Sequence, residues 1–143
     1  MRTFIFACIH NAGRSQMSAA FFNQFADPRS AHAVSAGTQP AELVHPVVVE
    51  AMREAGIDLS HAKPQRLTTE LAQNAEMLIT MGCGEECPYV PGLKREDWSL
   101  PDPKGQGIEL VRQTRDEIKR RVLQLLADEK VGMAVAPAAN SRP

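Results

Sequence analysis

The stretch TFIFACIHNAGRS, residues 3–15, contains the pattern that decides the fold. It opens with a short apolar run rich in β-branched and aromatic side chains, which is typical of a strand buried on both faces. The run is followed by HNAG, residues 10–13, which has the composition of a tight turn. Beyond the turn, apolar residues recur every fourth position from Met17 to Phe25, as on one face of a helix. The stretch therefore predicts a strand over residues 3–8, a tight loop, and a helix over residues 15–25.

The rest of the chain continues this alternation of strands and helices. Further strands are predicted at residues 32–36, 77–81 and 97–100, and further helices at residues 46–55, 68–75 and 108–130. Strands that alternate with helices imply a parallel sheet covered on both sides. We therefore expect a three-layer α/β fold in one domain over residues 1–130, followed by a flexible tail over residues 131–143.

Composition limits the classes of function. The chain has 143 residues, of which 43% are hydrophobic and 23% charged, and these values are typical of one soluble domain. Its net charge of -1 offers no basic excess for nucleic acid or an anionic membrane. No apolar run approaches the roughly 18 to 20 residues that span a bilayer, and the N-terminal run ends too early for a signal peptide. We expect a cytoplasmic monomer that binds neither nucleic acid nor membranes.

Cys8 lies where the first strand meets the first helix, and Arg14 and Ser15 follow in a C-x5-R-S pattern. In a tight loop of this kind, the backbone N–H groups of residues 9–14 can converge on an anion, and the helix N-terminus and the Arg14 guanidinium add positive charge. The same field stabilises a thiolate, so Cys8 is a candidate nucleophile, and Ser15 can donate a hydrogen bond to its sulfur. The predicted oxyanion-binding residues are Ile9, His10, Asn11, Ala12, Gly13, Arg14 and Ser15.

The other two cysteines, Cys83 and Cys87, lie in a glycine- and proline-rich segment over residues 82–102. Three cysteines are too few, and an odd number, for a disulfide-stapled secreted scaffold. A loop of this length inside a small domain is usually functional or disordered. The two cysteines therefore indicate a role in chemistry.

Other interpretations of these residues remain open at this stage. Cys83 and Cys87 could bind zinc with a histidine, although C-x3-C is not the common ligand spacing. The loop after Cys8 could belong to a sensor that binds an oxyanion without turnover. Cys8 could also be no more than a small buried residue at a strand end. The candidate histidines for zinc are His10, His45 and His61.

Several motifs together resemble the arsenate reductases built on the low-molecular-weight protein tyrosine phosphatase fold. They are CIHNAGRSQM at 8–17, VSAG at 34–37, Pro46 with MREAGID at 52–58, MGC at 81–83 and PDP at 101–103. The resemblance covers residues 2 to 127, which is nearly the whole chain. It implies a four-stranded parallel sheet with flanking helices, an anion loop at residues 8–15, and Asp102 as the general acid. By position alone, an Asp-Pro pair is more typical of a turn.

The resemblance also implies a reaction. Cys8 attacks arsenate, and Cys83 then attacks Cys8, which releases arsenite and forms a transient Cys8–Cys83 disulfide. Cys87 in turn attacks Cys83, and a Cys83–Cys87 disulfide results. Thioredoxin resets this pair, and neither a bound cofactor nor a metal is needed. A phosphatase would instead use water to hydrolyse the intermediate, and the segment over residues 103–107 lacks the aromatic side chains associated with that branch.

The chain departs from the thioredoxin-coupled members at two places. Only three residues separate Cys83 from Cys87, which also resembles a branch that uses a small thiol such as mycothiol. Ala19 stands where potassium-binding members carry an acidic residue, so no potassium site is expected at Asn11 and Ser35. The alternatives are therefore a small-thiol-coupled arsenate reductase or a low-molecular-weight protein tyrosine phosphatase.

Overall fold

A computed structural model describes residues 1–82 and 90–132 of the protein. The order of strands and helices along these residues is the one that the sequence predicts. The elements are β1 (Arg2–Cys8), α1 (Arg14–Phe25), β2 (Ala31–Gly37), α2 (Pro46–Glu54), α3 (Thr69–Gln73), β3 (Met77–Thr80), β4 (Lys94–Asp97) and α4 (Ile108–Glu129).

The four strands form one parallel sheet in the order β2-β1-β3-β4, which confirms the predicted fold class. β1 lies inside the sheet, where Phe4 is level with Met77 of β3, and Cys8 is level with Gly37 of β2. Because all strands run the same way, their carboxyl ends share one edge, which is where ligands bind in open α/β sheets. Cys8, the last residue of β1, lies at that edge.

Alternate residues of β1 contribute to two apolar layers. Phe4 and Phe6 pack on Phe22 of α1, with ring centroids 4.9 and 5.9 Å away, in a core that α2 and α4 also join. Ile5 and Ala7 belong to a second, smaller cluster on the opposite face, with Leu67 and with Leu71 of α3 packed against it. The sheet is therefore covered on both faces, as predicted.

The edge strand differs from its prediction. Residues 97–100 were expected to form it, but β4 spans Lys94–Asp97. All four of its residues are charged and exposed, and charges on an edge strand discourage pairing with another chain. Trp98, which the sequence placed in this strand, instead follows it and packs on Phe6 with ring centroids 5.6 Å apart. The apolar side chain of Trp98 therefore indicates a contact with the core and not a position in the strand.

The end of the domain also differs from expectation. Val131, predicted to begin a flexible tail, is only 2% exposed, and its carbonyl accepts a hydrogen bond from the Asp27 N–H at 2.8 Å. Gly132 forms a β-bridge with Ala26. The packed domain therefore extends at least to residue 132, and residues 133–143 lie outside the described part of the chain. None of the helices in the described ranges is long and apolar enough to cross a membrane.

An ion-pair cluster joins α2 to α4 and predicts a pH-dependent contribution to stability. The Glu54 carboxylate accepts from Arg112 at 2.6 Å and from Arg115 at 3.0 Å. The hydrogen bond from Arg112 lowers the pKa of Glu54 from 4.5 to about 2. A depressed folded-state pKa stabilises the fold above the unfolded value, and this contribution is lost as the pH falls toward the folded value. Because the groups are exposed and screened, we expect Glu54→Gln to lower the urea midpoint only slightly at pH 7, and less at pH 3.

Glu42 provides the matched control, since it is exposed and lies in no ion pair of the described residues. Urea unfolding of Glu42→Gln is expected to follow wild type at both pH values. If Glu54→Gln lowered the urea midpoint equally at pH 7 and pH 3, the lost stability could not come from the ionised Glu54 carboxylate.

Candidate active site

The loop between β1 and α1 turns its carbonyl groups away from its centre. Three of these carbonyls, and that of Cys8 at the end of β1, accept hydrogen bonds from the segment after β2, which holds the loop from outside. No N–H group of residues 10–13 has an acceptor among the described residues. Successive N–H groups left free in a tight loop make an anion-binding concavity. The four contacts are Thr38 N to Cys8 O at 3.3 Å, Gln39 N to Ile9 O at 2.8 Å, Ala41 N to His10 O at 3.0 Å and His45 N to Ala12 O at 2.9 Å.

Cys8 lies beneath this loop with its thiol against Ser15. The residue is 2% exposed, and its Sγ is 2.9 Å from the Ser15 Oγ. Ser15 is the second residue of α1, so both groups lie at the positive end of the helix dipole. A hydroxyl donor and a helix N-terminus both stabilise a thiolate, which is the nucleophilic form of cysteine. The geometry thus equips Cys8 for attack on a bound anion.

The Asn11 side chain favours donation from the Ser15 hydroxyl to the Cys8 sulfur, because it supplies a hydrogen bond that the hydroxyl oxygen accepts. Its Oδ1 accepts from the Gln65 N–H at 2.9 Å, which is a donor that cannot act as an acceptor. The amide Nδ2 must therefore face the Ser15 Oγ, 2.8 Å away, and donate to it. The hydroxyl proton of Ser15 is then left for the Cys8 sulfur. Asn11 adopts a φ of 51, a left-handed conformation that asparagine tolerates better than most residues.

Arg14 brings a guanidinium to the same site. It is 7% exposed, its Nη1 donates to the Leu100 carbonyl at 3.3 Å, and its Nε is buried with no acceptor in the described residues. A buried donor without a partner is costly unless a ligand accepts from it. The edge formed by Nε and Nη2 therefore suits the two oxygens of a tetrahedral oxyanion.

Gly82, which follows β3, makes room for this guanidinium. Its φ is +89, and a Cβ at this position would lie 2.8 Å from the Arg14 Nη1. Because Gly82 has no side chain, the Arg14 guanidinium can contact the backbone at the residue before Cys83. The sequence motif contained Gly82 but suggested no role for it, since the contact joins distant parts of the chain.

Asp102 stands at the mouth of the site. Its carboxylate is 48% exposed and has its Oδ2 3.7 Å from the Arg14 Nη2, while its Oδ1 accepts from the Lys104 N–H at 3.0 Å. The neighbouring Pro103 is seated on Gly13, where a Cβ would come within 2.6 Å of the Pro103 Cγ. This contact holds the Asp-Pro pair beside the anion loop.

His45 is a further ionisable group near the mouth, and the sequence had suggested it only as a zinc ligand. Partial burial holds the pKa of His45 below its usual range; Asp102 opposes this effect, whereas His10 and Lys104 reinforce it. The imidazole of His45 is therefore harder to protonate than that of an exposed histidine. In residues 1–82 and 90–132, no group of three His, Cys, Asp or Glu side chains is placed to hold a metal ion.

The structure brings together most of the residues that the sequence singled out. One loop, residues 9–13, lies between four of them, which are Cys8, Arg14, Ser15 and Asp102. Cys83 and Cys87 lie outside the described residues, and so do the Cys8–Cys83 and Cys83–Cys87 pairs proposed from the sequence.

The chain matches a known protein family over most of its length. The family is "Low molecular weight phosphotyrosine protein phosphatase", and the match covers residues 3–135. The match includes every described site residue.

The chain is also similar to curated relatives and to solved structures. A putative arsenate reductase of Halobacterium salinarum is 41% identical over 126 residues, which cover 85% of this chain and 89% of that protein. A glutaredoxin arsenate reductase of Synechocystis is 34% identical over 130 residues, which cover 89% and 98%. The structure of a thioredoxin-dependent arsenate reductase from Corynebacterium glutamicum superposes with a TM-score of 0.77 at 36% identity, covering 91% of this chain and 62% of that one.

Proposed function

Because the chain belongs to the low molecular weight phosphotyrosine protein phosphatase family, we propose that it is an arsenate reductase built on that fold. The observation that carries the proposal is the thiol of Cys8, placed 2.9 Å from the Ser15 hydroxyl beneath a loop of free N–H groups. The sequence adds two further cysteines, as a thiol-based reduction needs. The relatives named arsenate reductases support the same assignment.

In the proposed reaction, the anion loop binds arsenate as a tetrahedral oxyanion. The N–H groups of residues 10–13 and the Nε–Nη2 edge of Arg14 donate to its oxygens. The field comes from backbone dipoles and one guanidinium, so the near-neutral chain needs no basic surface. Asp102 exchanges its contact with Arg14 for a position beside the incoming anion.

The first chemical step forms a bond between Cys8 and arsenic. The thiolate attacks the arsenic atom, and one arsenate oxygen departs with a proton supplied by Asp102, leaving arsenic in the +5 state. Ser15 donates to the sulfur and stabilises the thiolate before attack.

The second step reduces the arsenic. The Cys83 thiolate attacks the Cys8 sulfur, and the electron pair of the sulfur–arsenic bond passes to arsenic, which leaves as arsenite. A Cys8–Cys83 disulfide forms, and Cys87 then attacks Cys83 to free Cys8 and leave a Cys83–Cys87 disulfide. Two thiols are oxidised for each arsenic atom reduced.

An external dithiol of the thioredoxin class then restores the two thiols. A cytoplasmic setting, which we also propose, keeps such donors reduced. The C-x3-C spacing leaves a small thiol such as mycothiol as the alternative donor, and a trapped mixed disulfide with that thiol would identify it.

The described rim favours reduction over the dephosphorylation of an aromatic substrate. Trp98 is 4% exposed and packs on Phe6, so it does not line the mouth. Residues 103–107, next to Asp102, contain no aromatic side chain. A phenyl phosphate would therefore find no ring to stack on in this part of the site.

The relay predicts the behaviour of the late cysteines. We expect Cys83→Ser and Cys87→Ser to reduce multiple-turnover arsenate reduction at least about a hundredfold, because Cys83 takes part in both disulfides of the relay and Cys87 in the second. The assay is arsenate-dependent NADPH oxidation with thioredoxin and thioredoxin reductase. In a single turnover without reductant, Cys87→Ser should still release arsenite and accumulate the Cys8–Cys83 disulfide, which mass spectrometry detects.

The exposed Ser60→Ala serves as the control and is expected to match wild type in both assays. Full multiple turnover by Cys87→Ser with thioredoxin would contradict the three-step relay. Rapid hydrolysis of phenyl phosphate that is insensitive to Cys83→Ser, with no arsenite formed, would instead identify a phosphatase.

A further inference from the structure

A buried glutamine lies behind the anion loop, and the proposed reaction does not use it. Gln16, in the first turn of α1, is 6% exposed. Its Nε2 lies 3.1 Å from the Asn11 carbonyl, 3.2 Å from the Asn11 Oδ1 and 3.3 Å from the Lys63 carbonyl. Two of these oxygens are backbone carbonyls, which can only accept, so the group that faces them must be the donor nitrogen.

The Gln16 amide therefore holds the loop at two points. It donates to the backbone and to the side chain of Asn11, the residue whose amide donates to Ser15. It also ties Asn11 to Lys63, in the connector between α2 and α3. With the Gln65 N–H, it provides the second donor that keeps the Asn11 Oδ1 turned away from Ser15.

We infer that Gln16 is a positioning residue for the nucleophile: its amide orients Asn11, so that the Ser15 proton is directed at the Cys8 sulfur and the loop N–H groups remain turned toward the anion. The chain of contacts runs from Gln16 to Asn11, from Asn11 to Ser15 at 2.8 Å, and from Ser15 to Cys8 at 2.9 Å. The inference rests on the proposed function only in that Cys8 is the nucleophile.

Two substitutions of similar shape separate this role from simple space filling. Gln16→Met keeps the length and volume of the side chain but removes both N–H donors. Gln16→Glu keeps the shape and, when ionised, turns an acceptor toward three oxygens. If Gln16 only fills space, both variants should leave the reactivity of the Cys8 thiol unchanged. If Gln16 orients Asn11, the reactivity should be highest with glutamine, lower with methionine and lowest with glutamate.

The test is run in a Cys83→Ser, Cys87→Ser background, where Cys8 is the one remaining cysteine. Its alkylation by iodoacetamide at pH 7 reports the thiolate, and protection by inorganic phosphate reports the anion loop. We expect Gln16→Met to slow alkylation about tenfold and to weaken phosphate protection about tenfold, with larger losses for Gln16→Glu. Gln24→Met and Gln24→Glu, at an exposed position of the same helix, should match the parent protein.

Alkylation and phosphate protection within twofold of the parent for Gln16→Met would overturn the inference. Thermal unfolding is followed alongside, and failure of both variants to fold would overturn it too, since Gln16 would then serve the stability of the domain. Neither measurement needs arsenate turnover. A protein that reduces no arsenate but shows the Gln16 effects would refute the proposed function and leave the inference standing.

Discussion

Replacing Cys8 with serine is expected to abolish arsenate reduction, with a loss of roughly a thousandfold or more in turnover. A serine hydroxyl is not ionised at neutral pH, and its oxygen cannot form the disulfide through which arsenic receives electrons. The rest of the site should persist, because its proposed anion donors are the backbone N–H groups of residues 10–13 and the guanidinium of Arg14. Coupled NADPH oxidation measures the activity, and calorimetric titration with phosphate measures the site.

Cys8→Ser should therefore bind phosphate no more weakly than wild type. Ser18→Ala provides a control, since Ser18 is a buried residue of α1 whose hydroxyl donates to the Arg14 carbonyl rather than to Cys8. Its turnover is expected to remain close to that of wild type. Substantial arsenate reduction by Cys8→Ser would show that another thiol makes the first attack.

Replacing Arg14 with lysine should lower kcat/KM for arsenate by roughly a hundredfold to a thousandfold. The positive charge remains, but an ammonium group cannot donate through a rigid two-pronged edge while also holding the Leu100 carbonyl, as Nη1 does at 3.3 Å. The effect is expected in both kcat and KM, because in the proposed reaction the guanidinium contacts both the bound anion and the charge that develops during attack. Steady-state kinetics at several arsenate concentrations separates the two constants.

Arg53→Lys is the matched control, since Arg53 is exposed and pairs only with Glu50 at 2.9 Å among the described residues. Its kinetic constants should equal those of wild type. A loss of less than about threefold for Arg14→Lys would mean that charge alone matters at this position, and the two-pronged contact would have to be abandoned.

The central part of the fold follows from local sequence patterns. The apolar run, the turn residues and the fourfold spacing of Met17, Phe21 and Phe25 are local signals, and they predict β1, the loop and α1 from residues 3–25 alone. β4 could not be found in this way. Its four charged residues form a strand only because β3 supplies the pairing partner, and no apolar period marks them.

The candidate site divides in the same way. Cys8, Arg14 and Ser15 are close in sequence, so one loop brings them together, and their spacing within a strand–loop–helix pattern predicts an anion site. Gln65 and Gly82 reach this loop from distant segments, through a backbone donor and through a missing Cβ. Neither feature has a sequence signature. Any residue except proline has a backbone N–H like that of Gln65, and the missing Cβ of Gly82 matters only because the Arg14 side chain packs against it.

The backbone construction of the anion loop has a consequence for selectivity. N–H groups that grip a tetrahedral oxyanion by shape and charge have little basis for separating arsenate from the far more abundant phosphate. Binding alone then discriminates poorly between the two anions, and phosphate should act as a competitive inhibitor. In the proposed relay, discrimination would depend on the later transfer of an electron pair, which arsenic accepts readily and phosphorus does not. The protein would select its substrate by reduction potential rather than by fit.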